Sequence, residues 1–362
     1  MRRVLGLLAG LGLASAAWAL DVEVDVQQTS SHVAVVQGAP GTAPQEVAVD
    51  ETLVQGTVHH QQTLAPGLNA EGTFWSSLDT LPSGTPQVLP AHKLDISSHF
   101  LEGWLAWEPL PGTLNLGGGK QVVHPSSGFS ATPLNFASRG GRTTGAQATS
   151  SWEEGWMGTK ASWFGDSLSA SVFWAPSLSW DKATDDGGLK YLTSSQSNGF
   201  TQGQLGFTWG TSDVKALAFQ GAGNPRLGLG VDTGWGDDWT FRAEAAGDAV
   251  SSIRPSALVG ATWTGLDQQT VMAELSRDET GPTPRPYGFV RGAVKLESHV
   301  DADAWTKVNL ADTSGWLGSS ITYTADKWVL SGAWMGAWGD ATSDAGSSPL
   351  RWKTTLEAKA FF

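Results

Sequence analysis

The seven histidines are the first residues to search for chemistry: His32, His59, His60, His92, His99, His124 and His299. None stands with Ser, Asp or Glu at a spacing that builds a nucleophile, its base and an orienting group. His59 and His60 are adjacent, so on a strand they face opposite sides and cannot share a metal ion. The acidic stretch Asp181 to Asp186 reads as solvated loop charge, with loose binding of a hard cation as the weaker alternative. The chain has no cysteine, which excludes disulfides, thiolate zinc sites, cysteine nucleophiles and a lipoprotein anchor. A net charge of −13, with no basic run longer than Arg2-Arg3, argues against a nucleic-acid partner. The expectation is therefore a non-enzyme with no catalytic residue, no metal and no cofactor.

The elements that must position the remaining charges are strands. Arg2 and Arg3, the apolar run Val4 to Leu13 and the small-residue exit Ala17-Trp18-Ala19 form a secretory signal, so residues 1–19 are expected to be removed and 20–362 to form one domain. Beyond residue 19 no stretch approaches the roughly 20 apolar residues of a membrane helix. The apolar period is instead 2: Val22, Val24 and Val26 alternate with acids, Leu227, Leu229 and Val231 with Gly228, Gly230 and Asp232, and Trp239, Phe241 and Ala243 with Thr240, Arg242 and Glu244. No sustained helical period is found, and the 45 glycines disfavour helices.

Tight turns with Gly, Pro or Asp chemistry recur at Ala65-Pro66-Gly67, Pro111-Gly112, Gly165-Asp166, Thr211-Ser212-Asp213, Gly236-Asp237-Asp238, Leu266-Asp267, Asp301-Ala302-Asp303 and Asp326-Lys327. Longer polar connections lie between them, notably His124 to Ser150, Asp181 to Asn198 and Ala341 to Leu350. Short turns at one end and long loops at the other predict an all-β fold, a transmembrane antiparallel up-and-down β-barrel of about 18 strands with 16 as the alternative, turns periplasmic and loops extracellular. Of the 19 tryptophans, Trp107, Trp163, Trp209, Trp235, Trp239, Trp263, Trp305 and Trp328 fall near tight turns, and Trp152, Trp180, Trp338 and Trp352 beside long loops. Two interfacial belts follow. Residues 117–119, all Gly, interrupt the alternation before Lys120 and suggest a bulge there.

If the apolar members of each pair face lipid, the lumen receives Arg242, Glu244, Glu274, Arg291, Lys295, Glu297, Lys307, Lys353, Glu357 and Lys359. So many charges must border water, because a dry interior would penalise them heavily. A barrel of 16 to 18 strands encloses such a channel, whereas the chain is too short for a plugged 22-stranded transporter.

The signal, the hairpin pattern and the last strand together resemble Gram-negative outer-membrane β-barrels, general porins in particular. That strand, Arg351 to Phe362, puts Trp352, Thr354, Leu356, Ala358, Ala360 and Phe362 on one face and ends in an aromatic. The passage Leu116 to Phe136, with Lys120, Gln121 and Pro133-Leu134-Asn135-Phe136, is similar to strand-to-loop passages of porin-like families. The resemblance implies an outer-membrane location, recognition of Phe362 by the barrel-assembly machinery, contact with outer-membrane lipid, passage of small polar solutes, and compatibility with a homo-oligomer. It also implies that the third outer connection, 124–150, folds inward as a constriction carrying Arg139 and Arg142; an outward loop with solvated arginines is the other reading. Alternatives for the whole chain are an adhesin or structural barrel, and a hydrophobic-compound transporter plugged by Gln37 to Gln45.

Overall fold

The computed structural model describes residues 21–35, 45–83, 91–123, 125–136, 155–177, 198–249, 255–266, 268–278, 285–340, 342–346 and 350–362. The turn signals of the sequence delimit strands β1 (Asp21–Val35), β2 (Gln45–Ala65), β3 (Leu68–Ser83), β4 (Ala91–Leu110), β5 (Leu114–Gln121) and β6 (Trp156–Phe164). They continue with β7 (Leu168–Ala175), β8 (Phe200–Trp209), β9 (Ser212–Gln220), β10 (Arg226–Trp235), β11 (Trp239–Asp248) and β12 (Ser256–Thr264). The last six are β13 (Thr270–Asp278), β14 (Arg285–Glu297), β15 (Val300–Asn309), β16 (Gly315–Thr324), β17 (Trp328–Trp338) and β18 (Leu350–Phe361).

Every strand pairs antiparallel with its sequence neighbours, and β1 pairs with β18 from Glu23 opposite Phe361 to Val33 opposite Leu350. The 18 strands thus close into one barrel, which satisfies the backbone donors and acceptors that an open sheet edge would leave unpaired. Strand number agrees with the higher expectation from the sequence. Odd-to-even connections are the long ones and even-to-odd ones the short ones, so both ends of the barrel chain lie on the short-turn side.

Turn chemistry works where the backbone needs it. Gly67, Gly112, Gly210 and Gly236 occupy short turns with φ of 74°, 70°, 61° and 65°, a region that costs glycine little. The Asp301-Ala302-Asp303 turn is not found. The chain reverses at residues 298–299, and all three residues belong to β15. Aspartate favours turns through its own backbone hydrogen bonds, but here the carboxylate of Asp303 is engaged by Arg291 instead. No bulge occurs at residues 117–119 either. Leu116 to Lys120 keep unbroken register with both β4 and β6. What glycine supplies is φ 134° at Gly119, where a Cβ would meet the Gly103 carbonyl oxygen at 2.3 Å.

Alternation sorts the side chains into two faces. The outer face is apolar and uncovered: Leu205, Leu229, Val259, Leu275, Val290, Leu317, Ile321, Leu330 and Leu356 are all exposed. Trp235, Trp239 and Trp263 lie directly opposite one another across β10, β11 and β12 at the turn end, with Trp107, Trp163, Trp209 and Trp328 exposed near the same end. Near the loop end Trp338 donates its indole N–H to the Thr313 carbonyl at 3.2 Å. Trp152 and Trp180 lie outside the described residues. Trp305 departs from its expected belt. It lies opposite Arg291 on the inner face, 8% exposed, packed with Phe289 and Met335. The two faces are therefore inverted relative to a globular sheet protein, whose apolar face is inside.

Candidate functional site: the lumen and its inward segment

The inner face carries carboxylates, amines and guanidinium groups on neighbouring strands. Asp232 of β10 lies opposite Arg242 of β11 and Asp213 of β9, Gly230 opposite Glu244, and Glu274 of β13 opposite Gly260 of β12 and Phe289 of β14. Onto this wall folds the chain that leaves β5. Residues 125–136 touch β9, β10, β11, β13, β14 and β15, far around the barrel from β5 itself.

Buried carboxylates hold the segment by its own backbone. Glu274, 2% exposed, accepts the amides of Phe129 at 3.0 Å and Ser130 at 2.6 Å. Glu244, 3% exposed, accepts the Ser127 amide at 2.6 Å and the Ser126 hydroxyl. The Ser127 hydroxyl stands 2.9 Å from both Glu244 and Asp232 and can donate to one of them at a time. Three cations balance the three acids. Lys215 Nζ is 3.3 Å from Asp232 and donates to the Pro125 carbonyl at 3.0 Å. Arg242 donates to the Ser127 carbonyl at 2.8 Å and to Thr262 Oγ1 at 3.1 Å, and lies 3.6 Å from Glu274. Lys307 donates to the Ser130 carbonyl at 3.2 Å. Such charge-assisted bonds are about twice as strong as neutral ones, and each charge here compensates the desolvation of another.

Apolar contacts fix the two flanks. Leu134, fully buried, packs on Leu217 and Ala246. Residues 228 and 230 are glycine beneath it, where a Cβ would come within 2.5 and 3.0 Å of its methyl groups. Phe136 meets Phe219, with the Arg226 guanidinium 4.5 Å over its ring. At the other flank Phe129 meets Phe289, with Arg291 4.9 Å over the ring.

Of the residues expected in the lumen from sequence, Arg242, Glu244, Glu274, Arg291 and Lys307 meet around this segment. Lys295 shares a face with Arg291 and borders a 260 Å³ hollow with Asp301 and Asp303. Glu357 and Lys359 join a separate network at the seam between β1 and β18. There Lys359 lies 3.2 Å from Glu23 and 3.6 Å from Glu357, and Gln27 donates to both Asp25 and Glu357. Lys353 is on the same face of β18, opposite Met335.

Glu297 is separated from the set. A register shift after Lys295 sets it opposite Val300, so it follows Val294 and Ala302 onto the other face. Arg139 and Arg142 lie outside the described residues. Phe362 ends the chain next to β18, partly exposed. Lys215, Asp232, Asp303, Asp25 and the serines 126, 127 and 130 are not among the lumen residues expected from sequence, where Asp303 stands as a turn residue. Asp232 carried a signal, its place in the alternation with Leu229 and Val231; the serines carried none.

No family model matches the chain, and no curated protein matches it. Solved structures do. One described as "Asymmetric conductivity of engineered proteins" aligns with a TM-score of 0.51 at 10% identity over 95% of this chain and 99% of its own. Two multiply substituted mutants of the porin of Rhodopseudomonas blastica align with a TM-score of 0.50 at 10% identity, over 95% of this chain and 99% of theirs. At that identity the likeness is one of fold, and the closed antiparallel β-barrel of this chain is accordingly a porin-like barrel.

Proposed function

We propose that the protein is an outer-membrane channel through which small polar solutes or ions diffuse passively. The observation that carries this reading is the inversion of the two faces: exposed Leu, Val, Ile and Trp outside, and charged networks on the inner face. A ring of 18 strands spaced ~4.8 Å apart and tilted ~40° measures about 35 Å between opposite backbones. Side chains and the folded-in segment 125–136 do not fill that width, so the inner charges that the segment leaves uncovered border water. The outer face suits outer-membrane lipid, residues 1–19 suit export, and the terminal Phe362 suits recognition by the barrel-assembly machinery.

In this reading residues 125–136 begin the constriction, and 137–150, with Arg139 and Arg142, continue it. A charged inner face favours polar solutes over the hydrophobic-transporter alternative, and ionic steps in a planar bilayer separate a channel from an adhesin barrel. The deciding experiment measures reversal potentials across a salt gradient. The native channel is expected to be only weakly selective, because its acidic loops are screened over ~8 Å while the narrow region holds both signs. Changing Arg139 and Arg142 to Ala together should shift the reversal potential towards cations. An unchanged value removes the constriction role of those arginines, and absence of any conductance removes the channel.

A further inference from the structure

A cavity of about 240 Å³ lies between the inward segment and the wall, and among the described residues the charges that line it are all positive. Its lining includes Arg226, Arg277 and Lys307 together with Ser130, Ser276 and Tyr287, and no carboxylate among the described residues. Among the described residues, the acids that touch this lining do not line it themselves. Both oxygens of Glu274 accept segment amides, Asp344 accepts the Tyr287 hydroxyl at 2.6 Å, and Asp248 lies 3.7 Å from Arg226 at the exposed rim.

The donors, by contrast, are held in place. Lys307 is fixed by the Ser130 carbonyl and lies 4.6 Å over the Tyr287 ring, and Arg226 is stacked on Phe136. Ser130 supplies the second observation. Its amide and carbonyl are both used, the residue is 2% exposed, yet its hydroxyl has no partner. A buried hydroxyl left unpaired costs about 1–3 kcal/mol, and because Ser130 is among the residues lining this cationic cavity, rotation of its side chain offers that hydroxyl to an acceptor placed there.

We infer that this cavity is a binding subsite for a small solute bearing an oxyanion, phosphate or carboxylate, with Arg226 and Lys307 as its counter-charges and Ser130 Oγ as a directed donor. The volume equals about eight waters at ~30 Å³ each, room for an inorganic phosphate or a short dicarboxylate with residual water. Fixed donors matter here because an oxyanion offers several acceptor oxygens in a rigid shape, which preorganised cations and hydroxyls recognise without further loss of side-chain freedom. The subsite deepens the channel reading and rests on it only for its role in transport; binding itself is a property of the barrel.

The test uses the full-length folded protein in detergent, with inorganic phosphate and succinate as separate probes, titrated by calorimetry and by phosphorus NMR line width. Saturable binding is expected, weakened roughly tenfold by Lys307→Gln or Arg226→Gln and a few-fold by Ser130→Ala, as fits charge-assisted and single hydroxyl bonds. Ser130→Ala removes no bond seen in the structure, so it keeps the test valid if a cation variant folds poorly; heat-modifiable mobility confirms folding of each. Binding of phosphate alone, of succinate alone or of both supports the subsite and names its chemistry. Binding of neither, or equal binding by all three variants, overturns it. Binding without bilayer conductance would sink the channel reading and leave the subsite standing, and conductance without binding does the reverse.

Discussion

Replacing Glu274 with Ala should release the Phe129–Ser130 end of the inward segment without opening the barrel. The carboxylate accepts two amides, at 3.0 and 2.6 Å, in a site where Glu274 is 2% exposed. Hydrogen bonds to a charged group contribute about 1.5–3 kcal/mol each. Removing the acceptor also leaves two buried N–H groups and the Arg242 guanidinium, 3.6 Å away, without their partner. A loss of about 3–5 kcal/mol follows for the docked state, a factor of roughly a hundred to a few thousand at ~1.4 kcal/mol per tenfold. The barrel strands keep their register because the backbone ladder of β13 with β12 and β14 does not depend on the Glu274 side chain. The other anchors, Glu244 on Ser126 and Ser127 and Leu134 on Leu217, keep the rest of the segment attached.

Amide hydrogen exchange should therefore quicken at Phe129 and Ser130 while Ser127 and the strand amides stay protected, and single-channel conductance should rise and become noisier. Glu274→Gln, which keeps one acceptor oxygen and loses the charge, should fall between the two. The refuting result is clear: unchanged protection of Phe129 and Ser130 together with native conductance in Glu274→Ala would mean that the carboxylate does not hold the segment.

Four further outcomes are expected. Leu356→Asp puts a charge on the exposed apolar face, at a cost below the ~2–4 kcal/mol of a mid-bilayer Lys or Arg, and like deletion of Phe362 should lower the yield of heat-modifiable barrel in membranes. Gly318→Ala sets a Cβ 2.3 Å from the Trp305 ring and should destabilise by about 1–3 kcal/mol through overpacking, read as a lower unfolding midpoint in urea. Asp312, outside the strands, accepts the Ser314 amide and hydroxyl and the Asp344 amide, and these bonds hold its carboxyl below the usual range. A depressed carboxyl stabilises the loop contact above its unfolded value of 3.8 and loses that contribution as pH falls through the folded value; exchange at the Asp344 amide should accelerate on acidification, and Asp312→Asn should flatten the dependence. In the double variant Glu244→Ala with Glu274→Ala the two effects should not add, since Glu274 meets Arg242, Arg242 donates to the Ser127 carbonyl and Ser127 donates to Glu244 in one connected network, and a double-mutant cycle measures the coupling.

What the sequence determined by itself is what the backbone decides locally. A strand's side-chain period is 2, and a tight turn demands Gly, Pro or Asp over a few residues, so strand number, the two faces and the side of the short turns could be read from Leu227 to Trp235 or from Pro111-Gly112 without knowing any partner. Among the described residues the alternation fails at a break in the pleat: one extra residue after Lys295 turns Glu297 away from its neighbours, and nothing in Leu296-Glu297 announces it. Turn chemistry misled at Asp301 to Asp303 because the same carboxylate that favours a turn is also a good partner for a guanidinium, and Arg291 lies directly across from Trp305 on the adjacent strand. Tryptophan near a turn marked a belt except at Trp305, whose inward aim depends on which of two alternating positions it holds. Only closure of the barrel could bring Ser126 and Ser127 to Glu244 and Asp232, and Phe129 and Ser130 to Glu274. These partners lie far apart along the chain, and a serine or a backbone amide has no side-chain pattern that specifies a distant acceptor. The tertiary fold decided that pairing because a buried carboxylate must find donors, and the segment crossing the lumen offers the amides of a chain with no sheet of its own to satisfy them.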